Sequence, residues 1–329
     1  MVKKGVFFVD YSNRPPGVRL SPPDGRDFPV SKLVPAPERF PDRHVISPLP
    51  EVYDQNGYGM CVAFSLATIK EVQEWRERGY RTRYSPGFIY ANRTDADFQG
   101  EGMVPREALD SILKDGVCTF DCFPYMSRVD KLKDRLLSVW AACFNEARPQ
   151  RIKAYARLYS PEDVKSALMQ LGPVMICIPV YPSFYGGGDL HPPDTNREEM
   201  NGRHAMTVTG WEKDRWIIRN SWGSQWGDGG NCTVPFDYPI DEMWSITDKY
   251  EPMSGRKTKY WRVQAGAYKL RKNADNMYSR LKKAGFDASI IVEGRLFLVL
   301  AGAFQHRGNA EKICKLMESK GFEHRILYF

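Results

Sequence analysis

One cysteine, one histidine and one asparagine stand where their spacing allows nucleophilic chemistry. Cys61 sits where a turn-forming run, Asp54-Gln55-Asn56-Gly57-Tyr58-Gly59, gives way to a segment whose pattern predicts an amphipathic helix over Val62 to Arg78. The unpaired N–H groups and positive dipole end of a helix start stabilise a thiolate, the reactive form of cysteine. A free cysteine is otherwise a small buried hydrophobe, so the chemistry needs a base and an orienting group. His204 opens the apolar run His-Ala-Met-Thr-Val-Thr-Gly-Trp, which reads as a buried strand, 143 residues after Cys61. Asn220 closes a second strand-like run, Trp216 to Arg219, 16 residues later. A short turn at Glu212-Lys213-Asp214 between two adjacent strands brings His204 and Asn220 side by side. Cys–His pairing then activates the thiol, while the third group fixes the tautomer of the base.

Gln55 through Ser65, His204-Ala205, and Asn220-Ser221-Trp222-Gly223 with Trp226-Gly227 resemble, in order, the three active-site motifs of papain-like cysteine proteases, over roughly residues 40–247. The resemblance implies an α+β fold of two lobes, helical first and β-rich second, with the cleft between them. It implies Cys61 as nucleophile, His204 as general base and then acid, and Asn220 as the group orienting the imidazole. Gln55 would donate its amide to an oxyanion hole with the Cys61 N–H, and Trp222 would shield the Asn220–His204 bond from water. Three positions depart from the pattern. Tyr58 stands in place of a disulfide cysteine, Val62 in place of a tryptophan, and Arg203 in place of an acidic or amide residue. None removes a catalytic group. Arg203 becomes a candidate substrate-binding residue, suited to acidic groups near the scissile bond.

The elements that must position these groups are legible in part. Pro105 to Asp115 predicts a helix with Ala108, Leu109, Ile112 and Leu113 on one face, and Lys131 to Phe144 predicts another. Ser160 is an N-cap with Pro161 at the first helical position, opening a helix that stops at Gly172. Pro173 to Val180 reads as a buried strand. Residues 1–39 form an arm: ten of the chain's 23 prolines fall in the first fifty residues, and proline builds neither helix interiors nor central strands. The simpler reading, which we adopt, packs the arm over the catalytic domain. The sharper one is a propeptide-like segment occupying the cleft, as longer ones do in the papain-like family.

Composition bounds the remainder. The 329 residues suffice for two domains, and 42% hydrophobic residues fill ordinary cores. Seven cysteines without regular spacing give neither a disulfide framework nor a zinc pattern. Cys118 and Cys122 have no second cysteine or histidine pair after them, so no metal and no cofactor is expected. His44, His191, His306 and His324 read as solvated surface residues. The first ten residues hold too short an apolar stretch for a secretory signal, no run reaches transmembrane length, and no membrane partner is expected.

Beyond a polar linker at 248–257 the chain repeats itself. Val263-Gln264-Ala265-Gly266-Ala267-Tyr268 aligns with Val299-Leu300-Ala301-Gly302-Ala303-Phe304, Asn273-Ala274 with Asn309-Ala310, and Gly285-Phe286 with Gly321-Phe322, all offset by 36 residues. Each unit reads strand, helix, strand, which predicts a ferredoxin-like βαββαβ domain with two helices on one face of a four-stranded antiparallel sheet. Residues 258–329 resemble a SPOR domain, the bacterial module that binds peptidoglycan glycan strands stripped of stem peptides. From Arg256 onward there are 16 Lys+Arg against 6 Asp+Glu, so the basic excess lies in this segment. Such a field attracts nucleic acid too, but the paired strand aromatics of RNA-recognition sheets are absent, so nucleic acid is not the expected partner. Alternation places Trp261, Val263, Ala265, Phe297, Val299 and Ala301 under the helices. Arg262, Gln264, Leu296, Leu298 and Leu300 take the open face, where Arg262, Gln264, Leu298 and Leu300 are the candidate glycan contacts. The combined expectation is a cysteine endopeptidase brought to bacterial cell wall by a glycan-binding module. A stem-peptide hydrolase of bacterial or phage origin, or a wall-binding protein without activity, are the alternatives. A wall-binding module without a secretory signal implies release by lysis, phage delivery or another export route.

Overall fold

The computed structural model describes residues 10–25, 27–93, 101–124, 132–248, 261–286, 288–293, 296–304 and 307–328. The chain forms two compact units, residues 1–253 and 254–329. In the first unit the helices come early. They are α1 (Cys61–Arg78), α2 (Pro86–Ala91), α3 (Pro105–Asp115), α4 (Leu132–Ser138), α5 (Trp140–Ala147) and, further on, α6 (Pro161–Gln170). The strands are β1 (Arg43–Val45), β2 (Ala154–Leu158), β3 (Val174–Val180), β4 (Gly188–Asp189), β5 (Gly202–Glu212), β6 (Arg215–Arg219), β7 (Asn231–Pro235) and β8 (Glu242–Thr247). They make one sheet in the order β2-β8-β3-β5-β6-β7-β4, with β1 also paired to β5.

Local signals explain the boundaries. Ser160 Oγ accepts from the Asp163 N–H at 3.1 Å and Pro161 starts α6. Gly79, at φ 76°, closes α1 with its N–H on the Trp75 carbonyl. The segment expected as one helix over 131–144 is two, broken at Val139.

α1 corrects the amphipathic expectation. Its side chains are buried from Cys61 through Glu74. A helix enclosed on all sides must satisfy its polar groups internally. Gln73 Nε2 donates to the carbonyls of Leu171 and Ile246, Lys70 pairs with Glu74 and Asp248, and Arg81 pairs with Glu71. Ser65 Oγ donates to the Met206 carbonyl and bonds Thr207 Oγ1 on β5. The helix that begins at Cys61 is thereby fixed against the strand that carries His204.

The second unit contains β9 (Trp261–Tyr268), α7 (Arg271–Lys283), β10 (Ser289–Glu293), β11 (Leu296–Phe304), α8 (Arg307–Ser319) and β12 (Arg325–Tyr328), in one antiparallel sheet ordered β10-β11-β9-β12. The 36-residue offset persists in three dimensions. Arg271–Asp275 and Arg307–Glu311 are both 2.8 Å pairs at the helix starts, and Ala274 and Ala310 are both fully buried. Val263, Ala265, Val299 and Ala301 pack with both helices in one core.

Candidate active site

β5 and β6 are antiparallel, with Thr207 opposite Arg219, joined through Lys213, whose φ of 56° turns the chain. The pairing delivers the predicted neighbours. A His204 ring nitrogen, Nε2, lies 2.7 Å from Asn220 Oδ1. The same oxygen accepts the Ser221 N–H at 2.8 Å, which fixes the amide's orientation. His204 Nδ1 is buried with no hydrogen-bond partner among the described residues, so a tautomer protonated at Nε2 leaves Nδ1 a lone pair able to take a proton. Trp222 lies 4.8 Å from the imidazole, ring centre to ring centre, under Phe184 and Tyr185.

Cys61 opens α1, fully buried. Its sulphur lies within reach of backbone N–H groups of Ala205, next to the base, and of Val62, Gly17 and Cys61 itself. Gln55 is placed by a short antiparallel pairing, with its N–H on the Ser221 carbonyl and the Gly223 N–H on the Tyr53 carbonyl. Its Oε1 accepts from Ser221 Oγ at 2.6 Å and its Nε2 donates to the Tyr58 carbonyl at 2.7 Å. Ser221 was not singled out from sequence, although it stands inside the Asn-Ser-Trp-Gly run. Its hydroxyl decides which way the Gln55 amide points.

Burial pushes Cys61 up to about 11 and holds His204 down to about 4, so both are neutral near pH 7. The N-terminal arm runs past this site, its Gly17 within reach of the Cys61 sulphur. Tyr11 stacks on Trp222 at 6.0 Å, and Arg14 binds both oxygens of Asp54. Pro16 fills the space beside Gly202. The Gly17 carbonyl accepts from Met103 on the helical side, while Val18 donates to the Arg203 carbonyl on the β side. Arg19 then donates to Met103, Ser21 bonds Glu242, and Arg106 clasps Asp27 with two bonds. The arm crosses the cysteine bonded to both lobes.

Other expected sites fall differently. The Arg203 guanidinium is paired with Asp241 at 2.9 Å, so its charge is already compensated and its carbonyl, not its side chain, meets the arm. His44 is no solvated residue. It sits on β1 against Trp211 at 5.0 Å with Nε2 buried and unpartnered, and burial lowers its pKa. His191 is exposed, His324 lies 3.5 Å from Glu318, and His306, Tyr260 and most of the linker are outside the described residues. All seven cysteines are free, and Cys118 and Cys122 lie together with Cys143. In the second unit Arg262 and Gln264 are half-buried. Leu298 and Leu300 are absent from the core under the helices yet only 4% and 2% exposed.

The sequence profile of the papain family cysteine protease matches residues 36–238, and that of the SPOR domain matches residues 257–326. The chain belongs to the papain family. Among its relatives, an uncharacterised peptidase C1-like protein of Acanthamoeba polyphaga mimivirus is 28% identical over 226 residues, 61% of this chain and 70% of that protein. Cathepsin K of Gallus gallus is 28% identical over 54% of this chain and 53% of its own length. The chain thus spans between about half and 70% of such relatives. Xylellain, a cysteine protease from Xylella fastidiosa, shares the fold at a TM-score of 0.62 and 23% identity, covering 71% of this chain and 96% of its own. The digestive procathepsin L 3 of Tenebrio molitor follows at 0.56 and 21%, over 71% and 76%. The first unit is a papain-family peptidase domain and the second a SPOR domain.

Proposed function

We propose that the protein is a latent cysteine endopeptidase, and that its SPOR domain brings it to peptidoglycan glycan strands of bacterial cell wall. The observation that carries the catalytic reading is the His204–Asn220 bond, which leaves Nδ1 unpartnered beside the start of α1. With the arm displaced, Nδ1 takes the Cys61 proton and the thiolate attacks a peptide carbonyl. The developing oxyanion is met by the Cys61 N–H and the Gln55 amide, held by Ser221. The imidazolium returns its proton to the leaving amine, and a water deprotonated by Nδ1 resolves the thioester. Asn220 keeps the ring in register throughout.

Latency rests on the arm crossing Cys61 while both thiol and base are neutral. Wall targeting rests on the SPOR match and on the basic excess of the second unit. Arg262 and Gln264 are the side chains proposed to meet the sugar. The test is parallel digestion of denatured casein and purified sacculi by a variant lacking residues 1–25. Casein cleavage with sacculi bound but intact supports this reading. Release of stem peptides from sacculi would make the protein a wall hydrolase instead, and inactivity on both would refute catalysis.

A further inference from the structure

On the helical lobe, away from the residues that serve catalysis, three thiols converge. The sulphurs of Cys118, Cys122 and Cys143 lie within 4.8 Å of one another, and those of Cys122 and Cys143 are 3.4 Å apart. Cys118 and Cys143 are fully buried, while Cys122 is half-exposed. Local structure builds this cluster. The Ser85 N–H holds the Cys118 carbonyl, and the Phe123 N–H returns to the Thr119 carbonyl, so the loop folds its two cysteines to one side. Thr119 Oγ1 accepts from the Cys122 N–H. Glu146 Oε1 accepts from both the N–H and the hydroxyl of Thr119, at 2.8 and 2.6 Å, binding the loop to α5. Cys143 and Glu146 stand three residues apart on α5, hence on one face. The Cys122 thiol also has Glu146 as a hydrogen-bond partner.

We propose that Cys118, Cys122 and Cys143 are the protein ligands of a zinc ion, with the fourth position on the Cys122–Glu146 side. The donor set is soft and sulphur-rich, which selects a thiophilic cation over calcium or magnesium. The Cys-x₃-Cys pair matches one half of a structural zinc motif, and the fold, not the sequence spacing, brings Cys143 to it as the third sulphur. Tetrahedral thiolates about 2.3 Å from zinc stand roughly 3.8 Å apart, and the cluster already brackets that separation. A disulfide between two of these cysteines would leave the third sulphur of the cluster unused. Each thiol that binds exchanges an S–H bond for an S–Zn bond and releases one proton, so affinity rises with pH. The ion would pin the 118–123 loop to α5.

The test uses full-length protein carrying Cys61→Ala, so that the catalytic thiol contributes nothing. Cobalt(II) is added under reducing conditions, then displaced by zinc. The expected result is one cobalt per chain with a thiolate-to-metal charge-transfer band, lost on one equivalent of zinc, and a zinc-dependent rise in the unfolding temperature. Cys122→Ser, at the half-exposed ligand, should abolish the band. Glu146→Gln should weaken affinity about tenfold or more, as removal of an outer-shell partner does. The proposal is overturned if substoichiometric cobalt binds without the band, or if the band survives both Cys122→Ser and Cys143→Ser. Thiol counting that finds Cys122 and Cys143 joined in a disulfide would overturn it as well.

Discussion

Gly17 of the arm lies so close to Gly59, two residues ahead of Cys61, that a methyl group on Gly17 would come within 2.3 Å of the Gly59 carbonyl oxygen. The contact is backbone against backbone, so neither side can yield by a rotamer change. Gly102 faces Gly17 from the other wall, where an added Cβ would approach the Gly17 carbonyl at 2.8 Å. The arm's passage over Cys61 therefore depends on missing side chains.

Gly17→Ala should lift the arm without disturbing the buried residues behind it. Overpacking of this kind costs about 1–3 kcal/mol, a shift of roughly 5- to 150-fold toward the open state. Peptide hydrolysis should rise by that order relative to wild type. Arg14→Ala, which removes a partly exposed ion pair with Asp54, should raise it only a few-fold, since such pairs contribute about 1 kcal/mol or less. Removing all residues before Glu38 is a poorer test, because Val30, Leu33 and Val34 belong to the core. Equal rates for wild type and Gly17→Ala in steady-state assays would count against latency.

The closed state should be weakest at the extremes of pH. His204 is held down to about 4 from its ordinary 6.5, so the closed state binds fewer protons than an open one. Its contribution is complete above about 6.5 and is lost as pH falls toward 4. Cys61, pushed up to about 11, has the opposite sign. Its contribution is complete below the ordinary thiol value near 9 and is lost as pH rises toward 11. Hydrogen exchange at the Val18 N–H, corrected for intrinsic rates, should show protection falling from pH 6.5 to 4. Constant protection over that interval would contradict the assignment of cause.

At the candidate active site the losses should rank by proposed role. In the variant lacking residues 1–25, Gln55→Ala should cost about 10²–10³ in kcat, the usual effect of losing one oxyanion donor. Ser221→Ala, which frees the Gln55 amide without deleting it, should cost less, with KM little changed. Asn220→Ala should leave weak activity, because the imidazole keeps its basicity and loses only its orientation. A Ser221→Ala loss as large as that of Gln55→Ala would mean the serine does more than hold the amide.

In the SPOR domain two equivalent glycines should differ. A Cβ on Gly266 meets the Tyr268 ring, and one on Gly302 meets the Phe304 ring, each at about 2.5 Å, but only Gly302 has a positive φ, 150°. Ring displacement alone is cheap, whereas a non-glycine residue at that φ costs about 1–3 kcal/mol. Gly302→Ala should therefore lower the urea midpoint of this domain clearly more than Gly266→Ala. The reverse order would show that ring packing, not backbone strain, sets the requirement.

These residues also mark what could be read from the sequence. The placement of Cys61, His204 and Asn220 was visible because each lies in a strong local context: a helix start, a buried strand, a strand end. The α6 cap was visible for the same reason, and the repeat was visible because its offset never slips. The arm's path was not, since Pro-Pro-Gly signals only a turn, and the need for glycine at residue 17 comes from Gly59 and Gly102 far along the chain. Cys143 was missed as a companion of Cys118 and Cys122 because 21 residues and a helix break separate it from Cys122. His44 was misread because pairing of β1 to β5, not its polar neighbours, decides its burial.

The rate of peptide hydrolysis by the variant lacking residues 1–25, measured with and without Cys61→Ala, tests the central claim most directly. The account predicts turnover well above that of the full-length chain, abolished by Cys61→Ala and by prior thiol alkylation. Undiminished turnover in the Cys61→Ala protein would contradict it.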